Sequence, residues 1–469
     1  MRIAARPYLT LFAIGLAVHL TALGFLHVRS GGIAVYAFRS PDAREYYDIA
    51  RNLATQGVFA QGESPPLQPD TWRTPGYPVF LAALMVFMGD SPETLVGAQH
   101  FLALVNVVIF FAVVREWLGA RRALLAALLF LFEPYHVLYA GWLLSTTWQV
   151  TLLLAAWGAW HAGVRTRARG WWVILGLLIG ALILVWPGHV VTGGCLFISA
   201  WWSRWRVNRR ARFSSNPQRI SVSSPILLLV AAALVVAPWL ERNRRISGHV
   251  ALSDQSGVVL AYFKAAEVVL WRQGGSESRY LELSTDAAHA AFPHATWDAI
   301  DRELKLRLAD YDESVRGEIH WSRLAQGNRT SIDSFRISRE LTDIGLRNIL
   351  TSPLSAVACY TVRMVDQLTF PVSLGIAPPT GVNPNRLKSI GLGTPFVLLA
   401  LLVLLRLWRG KVEGLVLIFP LITTLAMLLV AAPQIDPRFR VPMIPLLLFV
   451  ALLPRENDKY RSAEQRAEI

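Results

Sequence analysis

Ser40-Pro41-Asp42-Ala43-Arg44-Glu45-Tyr46-Tyr47-Asp48-Ile49-Ala50 and, further on, Trp72-Arg73-Thr74-Pro75-Gly76-Tyr77-Pro78 are polar stretches set between apolar runs, and their relation to those runs decides the fold. Pro41 suits the first position of a helix with Ser40 before it as a cap, which puts Asp42 in the first turn. Tyr46, Ile49, Ala50 and Leu53 follow Asp42 by 4, 7, 8 and 11 residues, on or near one helical face, while Arg44, Glu45, Asp48 and Arg51 form the polar face. This pattern predicts a helix lying at a membrane surface with a carboxylate at its start. Complementing the helix dipole is the plainer use of such an Asp, worth about 0.3–1 kcal/mol. The second stretch runs into Val79–Met88, an apolar helix too short to span, which dips into the interface or re-enters. Arg73 just ahead of it lies at headgroup depth, where its planar donors suit a lipid phosphate, or where it simply snorkels.

The apolar runs are those of a polytopic membrane protein. Of 469 residues 54% are apolar, mean hydropathy is positive, and several windows of about 20 residues carry almost no charge. A soluble two-domain enzyme is excluded, and two cysteines exclude a disulfide scaffold; Cys195 and Cys359 read as structural. Spans are expected near 8–28, 93–114, 122–140, 143–164, 171–187, 188–203, 223–240, 388–406, 413–432 and 441–454. The first is read as a retained helix, since Phe25-Leu26-His27 is a poor small-residue cleavage site.

The net charge of +14 raises the question of nucleic acid, and the positions of the basic residues answer it. With the N-terminus cytoplasmic, the loops expected inside hold Arg115, Arg121 and Arg122, then Arg165, Arg167 and Arg169, then 204–219, then Arg406, Arg409 and Lys411, and finally the tail. The short outside loops near 141 and 189 hold none, so the charge reports orientation and no nucleic-acid partner. Three regions follow: 1–240 with a first outside loop at 29–92, an extracytoplasmic domain at 241–387, and C-terminal spans with a cytoplasmic tail at 388–469. Loops as long as these two outside segments are functional as a rule. In the second, Trp297, Ile300, Leu304 and Leu308 fall near one helical face and Ile337, Leu341, Ile344 and Leu350 near another, so a small, mostly helical domain packed on the membrane is expected.

Asp42-x-x-x-Tyr46-x-x-x-Ala50, Arg73-Thr-Pro-Gly-Tyr-Pro, Gln99, Pro134, Leu143-Leu144-Ser145, Pro238-Trp239-x-x-Arg242-Asn243, Gly248, Ser253, Gly257 and Pro437-Arg438-Phe439-Arg440-Val441-Pro442 with Pro445 follow one another in order. Taken together they resemble the bacterial relatives of protein O-mannosyltransferases and of the lipid A aminoarabinose transferase, the family 39 glycosyltransferases with a GT-C fold. The fold class so implied is an all-α GT-C-like bundle of about ten transmembrane helices with interfacial helices in the first outside loop.

The resemblance implies a membrane glycosyltransferase that takes a sugar from a polyprenyl-phosphate carrier on the outer face of the inner membrane and passes it to a lipid, glycan or protein acceptor. It places the catalytic acid at Asp42. An inverting displacement needs a base near the attacking hydroxyl and positive charge at the leaving phosphate, for which Arg73, Arg242, Arg438 and Arg440 are the candidates. Glu45, Tyr46, Tyr77, Glu133 and His189 are candidates for the acceptor side or the pocket. No nucleotide, metal or other cofactor is called for, and His289 with His294 lacks metal spacing. One departure stands out: relatives commonly carry an acid after Leu143-Leu144-Ser145, where this chain has Thr146-Thr147-Trp148, and Glu133 is the nearest replacement. An O-antigen polymerase or ligase and a transporter are the other classes with this hydropathy, but the spans hold almost no acids apart from Glu133, which disfavours transport. Trp171-Trp172 and Trp201-Trp202, at span ends, read as interfacial anchors.

Overall fold

A computed structural model describes residues 6–62, 67–211, 221–272, 294–320, 324, 333–369, 398–399, 401–407, 414–432 and 437–454. Among these residues the regular structure is helical, with a single isolated bridge between Ala60 and Pro69. Arg6–Ser30, Pro92–Leu131 and Ser223–Ser247 are long and apolar enough to cross a membrane. Gly76–Met88, Arg169–Val185, Leu417–Ala431 and Val441–Leu452 are shorter apolar helices. The protein is thus an all-α, multi-pass membrane protein. The expected span near 388–406 falls mostly outside the described residues.

Helix Pro92–Leu131 is two limbs, because Gly119 adopts φ 74°, where a residue without Cβ turns the chain freely. The second limb corrects the span expected at 122–140. It stops at Leu131, and Glu133 caps a new short helix, Pro134–Tyr139, by accepting from the His136 N–H. Pro134 has no N–H to continue the earlier helix and fits the first position of the next.

The membrane layer closes on aromatic rings. Trp157 stacks on Phe419 at 6.1 Å and meets Phe449 edge-on at 4.9 Å, and Trp160 meets Trp172 at 5.6 Å. Trp172 is fully buried, which corrects its reading as an interfacial anchor; its neighbour Trp171 is the exposed one. Arg169–Val185 and Ser223–Ser247 approach so closely that a Cβ on Gly176 would sit 2.3 Å from the Leu228 carbonyl oxygen. Small residues at such crossings let helix backbones touch.

Above this layer a helical cap is built from Gln255–Val258, the π-turn Val259–Ala265, Ala266–Arg272, His294–Arg307, Ser334–Leu350 and Pro353–Thr369. Ile300, Leu304 and Leu308 pack against Ile337, Leu341, Ile344 and Tyr262, as the two helical faces require. Leu350 is the exception and is exposed, because the helix ends there and turns away at Thr351. Glu267 and Arg363 form a buried ion pair that ties Ala266–Arg272 to Pro353–Thr369.

Helix Ser334–Leu350 crosses directly over Gly257. The Gly257 N–H donates to the Ser338 Oγ at 3.0 Å, and a Cβ there would fall 1.9 Å from the Ser338 carbonyl oxygen. Backbone cannot step aside as a side chain would, so Gly257→Ala is expected to destabilise the cap by about 1–3 kcal/mol. A lower melting temperature and faster proteolysis within 255–350 of the purified protein would register this, and Ser338→Ala, which removes only the hydrogen bond, is expected to cost about 1 kcal/mol.

Candidate active site

Helix Pro41–Gln56 begins where expected, with Pro41 in the first turn and Ser40 at the cap position, although the Ser40 hydroxyl makes no capping bond. Its buried face carries Ala43, Tyr47, Ile49, Ala50 and Asn52, and Tyr46 is half-buried. Tyr47 anchors the helix by donating to the Asp90 carbonyl oxygen at 2.9 Å. Asp42 and Glu45, one turn apart, therefore both lean toward the segment that carries Arg73.

That segment is fixed from three sides. The Arg73 N–H donates to Asp70 Oδ1 at 2.8 Å. Ser253 Oγ donates to the Trp72 carbonyl oxygen at 2.6 Å, and Thr71 Oγ1 donates to Asp254 Oδ2 at 2.8 Å, so the loop entering the cap is laced to the first loop. Gly76 lies against the end of helix Arg169–Val185, where a Cβ would come within 2.6 Å of the Leu184 carbonyl carbon. Arg242 belongs to this lacing: it donates to the Asp70 and Phe59 carbonyl oxygens at 2.6 and 3.2 Å and lies over the Trp239 ring. Of the sequence candidates for phosphate, it is the one whose geometry serves backbone.

The charged centre is a chain of alternating sign. Arg73 Nε donates to Glu45 Oε2 and its terminal NH2 group to Asp42 Oδ1, both at 2.6 Å, while Arg438 donates to Asp42 Oδ2 at 2.6 Å. The Arg73 guanidinium also lies 4.9 Å from the centre of the Tyr46 ring. Burial pushes the Asp42 carboxyl upward, but the Arg73 and Arg438 guanidiniums more than reverse this and hold it well below the usual carboxylate range. For Glu45 burial prevails over Arg73, and its carboxyl is raised.

Asp42, Tyr46, Arg73 and Arg438 line a cavity of about 670 Å³ between the membrane layer and the cap. The cap contributes Lys264, and the membrane helices contribute Ser145, Thr146, Gln149 and Trp186. Lys264 donates to the Val430 and Ala432 carbonyl oxygens at the end of helix Gly414–Ala431. An ammonium has three protons, and one is left for the cavity. Burial pushes this ammonium down to about 8.

The other candidates stand behind the cavity wall. Tyr77 is buried, donates to Gln99 Oε1 at 2.7 Å and meets the Tyr46 ring edge-on at 5.0 Å. Arg440 is buried with its guanidinium over Tyr135 at 5.1 Å and within electrostatic reach of Glu133. Glu133 faces the His136 N–H and does not line the cavity, so it does not stand in for the acid absent at Thr146. His189 is buried behind Gln149, which it contacts at 2.7 Å. Lys264 and Gln149 were not anticipated. A lone lysine in the apolar run Val258-Val259-Leu260-Ala261-Tyr262-Phe263-Lys264-Ala265-Ala266 was the available signal for the first. Among the described residues one group, Asp298, Asp301 and His320, has metal-ligand spacing, and it lies in the cap with Asp301 accepting from the Tyr262 hydroxyl at 2.5 Å.

No protein-family model matches the chain, and no curated protein matches it. Solved structures do. The oligosaccharyltransferase of Archaeoglobus fulgidus, in a complex with Zn and sulfate, superposes with a TM-score of 0.51 and 13% identity over 96% of this chain and 50% of that one. ArnT from Cupriavidus metallidurans bound to undecaprenyl phosphate aligns with a TM-score of 0.40 and 15% identity over 96% of this chain and 78% of that one. AglB from A. fulgidus, in complex with an inhibitory peptide and a dolichol-phosphate, gives 0.45 and 15% over 98% and 52%. The chain spans about half the length of the archaeal enzyme and shares its fold, the GT-C fold that the sequence resemblance implied.

Arg73 bridges Glu45 and Asp42, so its removal leaves the half-buried Glu45 carboxylate without its cation and Asp42 with Arg438 alone. Arg73→Ala is expected to lower stability by about 3–5 kcal/mol, and Arg73→Lys to recover less than half of that, since a point charge cannot reach two carboxylates as the guanidinium fork does. Thermal unfolding of the purified variants measures both.

Proposed function

We propose that the protein is an inverting glycosyltransferase of the cytoplasmic membrane, with its cavity on the outer face, which moves a sugar from a polyprenyl-phosphate carrier to an envelope lipid, glycan or protein. In this reading residues 1–240 and 388–469 are the membrane regions, with both termini cytoplasmic, and 241–387 is the extracytoplasmic domain. The observation that carries the proposal is a carboxylate held between two guanidiniums, with Lys264 on the same cavity, where the membrane helices meet the cap.

The chemistry follows from those groups. An acceptor hydroxyl attacks the anomeric carbon, its proton passes to Asp42, the bond from that carbon to the phosphate oxygen breaks, and the carrier leaves as its phosphate anion. Arg438, Arg73 and Lys264 stabilise the charge that develops on the leaving oxygen. Asp42 is a weak base while both guanidiniums are turned on it. A phosphate that draws on the same guanidiniums adds negative charge beside Asp42 and raises its affinity for a proton. The base is thereby switched on by the donor, which guards against idle protonation in the empty site. Arg242 and Arg440 act as positioning residues for the loops that hold Arg73 and Arg438. The ordered sequence resemblance supports the lipid-phosphate carrier, and the cavity's excess of cations suits it.

Asp42→Asn keeps hydrogen-bonding shape but cannot take the proton. In vesicles supplied with polyprenyl-phosphate sugar it is expected to lower transfer by about 10²–10⁴-fold while the protein still inserts; turnover equal to the parent protein would exclude Asp42 as the base.

A second test uses pH. Lys264 loses its proton as pH rises through about 8. Its charge is therefore present below that value and lost above it. Carrier affinity is expected to hold between about pH 6 and 7 and to fall above about 8, and Lys264→Arg, charged throughout, is expected to flatten the alkaline side. Isothermal titration with polyprenyl phosphate in nanodiscs reads this, and an alkaline fall that persists unchanged in Lys264→Arg would remove Lys264 from the phosphate site.

A further inference from the structure

Gln149 is only 5% exposed, yet it forms part of the cavity wall beside Thr146. Its Nε2 lies 2.7 Å from His189 Nε2, and His189 Nδ1 lies 3.2 Å from Thr192 Oγ1. One proton arrangement satisfies this chain: the amide N–H donates to His189 Nε2, and the neutral imidazole donates from Nδ1 to Thr192. The imidazole is fully buried and is held edge-on by the Trp186 ring at 5.3 Å and 88°. With Nε2 committed to His189, the Gln149 Oε1 has no hydrogen-bond partner among the described residues, and it is not one of the sealed, unsatisfied atoms of the interior. A glutamine that served packing alone would have both ends of its amide satisfied within the protein or turned to bulk water. Here one end is pinned from behind and the other, an acceptor, opens into the cavity.

The charges around it select among donors. Among the described residues, the charged side chains that line the cavity are Asp42 against Arg73, Lys264 and Arg438. Three cations to one already paired carboxylate favour a phosphate and oppose a second cation, so an ammonium-bearing sugar meets repulsion with no free carboxylate among the described lining residues to offset it. A neutral carbonyl oxygen asks only for an O–H or N–H. We propose that Gln149, aligned by His189 and Thr192, is a specificity-determining residue that accepts a hydrogen bond from a hydroxyl of a neutral sugar on the lipid phosphate. This rests on the reading of the cavity as a carrier-sugar site.

The test is competition binding in nanodiscs with decaprenyl phosphate, its glucosyl, mannosyl and galactosyl esters, and the 4-amino-4-deoxyglucosyl ester. In the parent protein at least one neutral hexosyl ester is expected to bind about fivefold or more tightly than bare decaprenyl phosphate, and the amino sugar no more tightly than the bare carrier. Gln149→Leu removes the advantage of the hexose while shifting the bare carrier less than about twofold, His189→Ala removes part of it, and Gln149→Glu moves the preference toward the amino sugar. Gln149→Leu that keeps the full hexose advantage, or a parent protein that binds the amino sugar as tightly as the best neutral hexose, overturns the assignment. If the parent protein binds decaprenyl phosphate no better than decaprenol, it is the carrier reading of the cavity that fails, and the assignment goes with it.

Discussion

Everything near the cavity depends on one guanidinium serving two carboxylates. Arg73 meets Glu45 through Nε and Asp42 through its terminal nitrogen, and this fork fastens an interfacial helix to a loop more than twenty residues further along. Desolvating three charges is unfavourable unless each finds a partner of good geometry. The surrounding structure is arranged so that they do: Asp70 turns the Arg73 backbone, the Ser253 and Asp254 contacts hold its loop, and Arg438 takes the second oxygen of Asp42. A carboxylate held in this way keeps its geometry when the cavity is empty, and in the proposed function an entering phosphate would find the cations already placed.

Much of this was legible in the sequence, for reasons that differ from residue to residue. Asp42 and Arg73, which the structure brings together, are each marked locally, one by a proline-led helix start and the other by a turn ahead of a short apolar helix. The cap helices were found because their apolar spacing survives in one dimension. Glu45 groups with Arg44, Asp48 and Arg51 on the polar side in the sequence, and only the segment carrying Arg73, which lies against the helix, gives it a buried partner. Arg242 shows the limit of reading charge by position. An arginine before a loop looks the same whether it serves a phosphate or two backbone carbonyls, and the carbonyls of Phe59 and Asp70 come from a segment far away in sequence.

Gln149 and Lys264 were missed for a related reason. Neither has a motif, and each becomes part of a site only when helices far apart in the chain meet across one cavity. The division of the expected 122–140 span could have been read, since Pro134 carries the signal; hydropathy averaged over a window conceals a single residue that lacks an N–H.

The Glu267–Arg363 pair has a different environment from the charges of the cavity, with both side chains only 1% exposed. Mobile ions reach the cavity but not that pair, because screening acts through solvent. Raising ionic strength is therefore expected to weaken the field that the proposed anionic carrier would feel while leaving the fastening of the cap helices nearly untouched. On the proposed function, salt becomes an instrument that separates recognition from architecture.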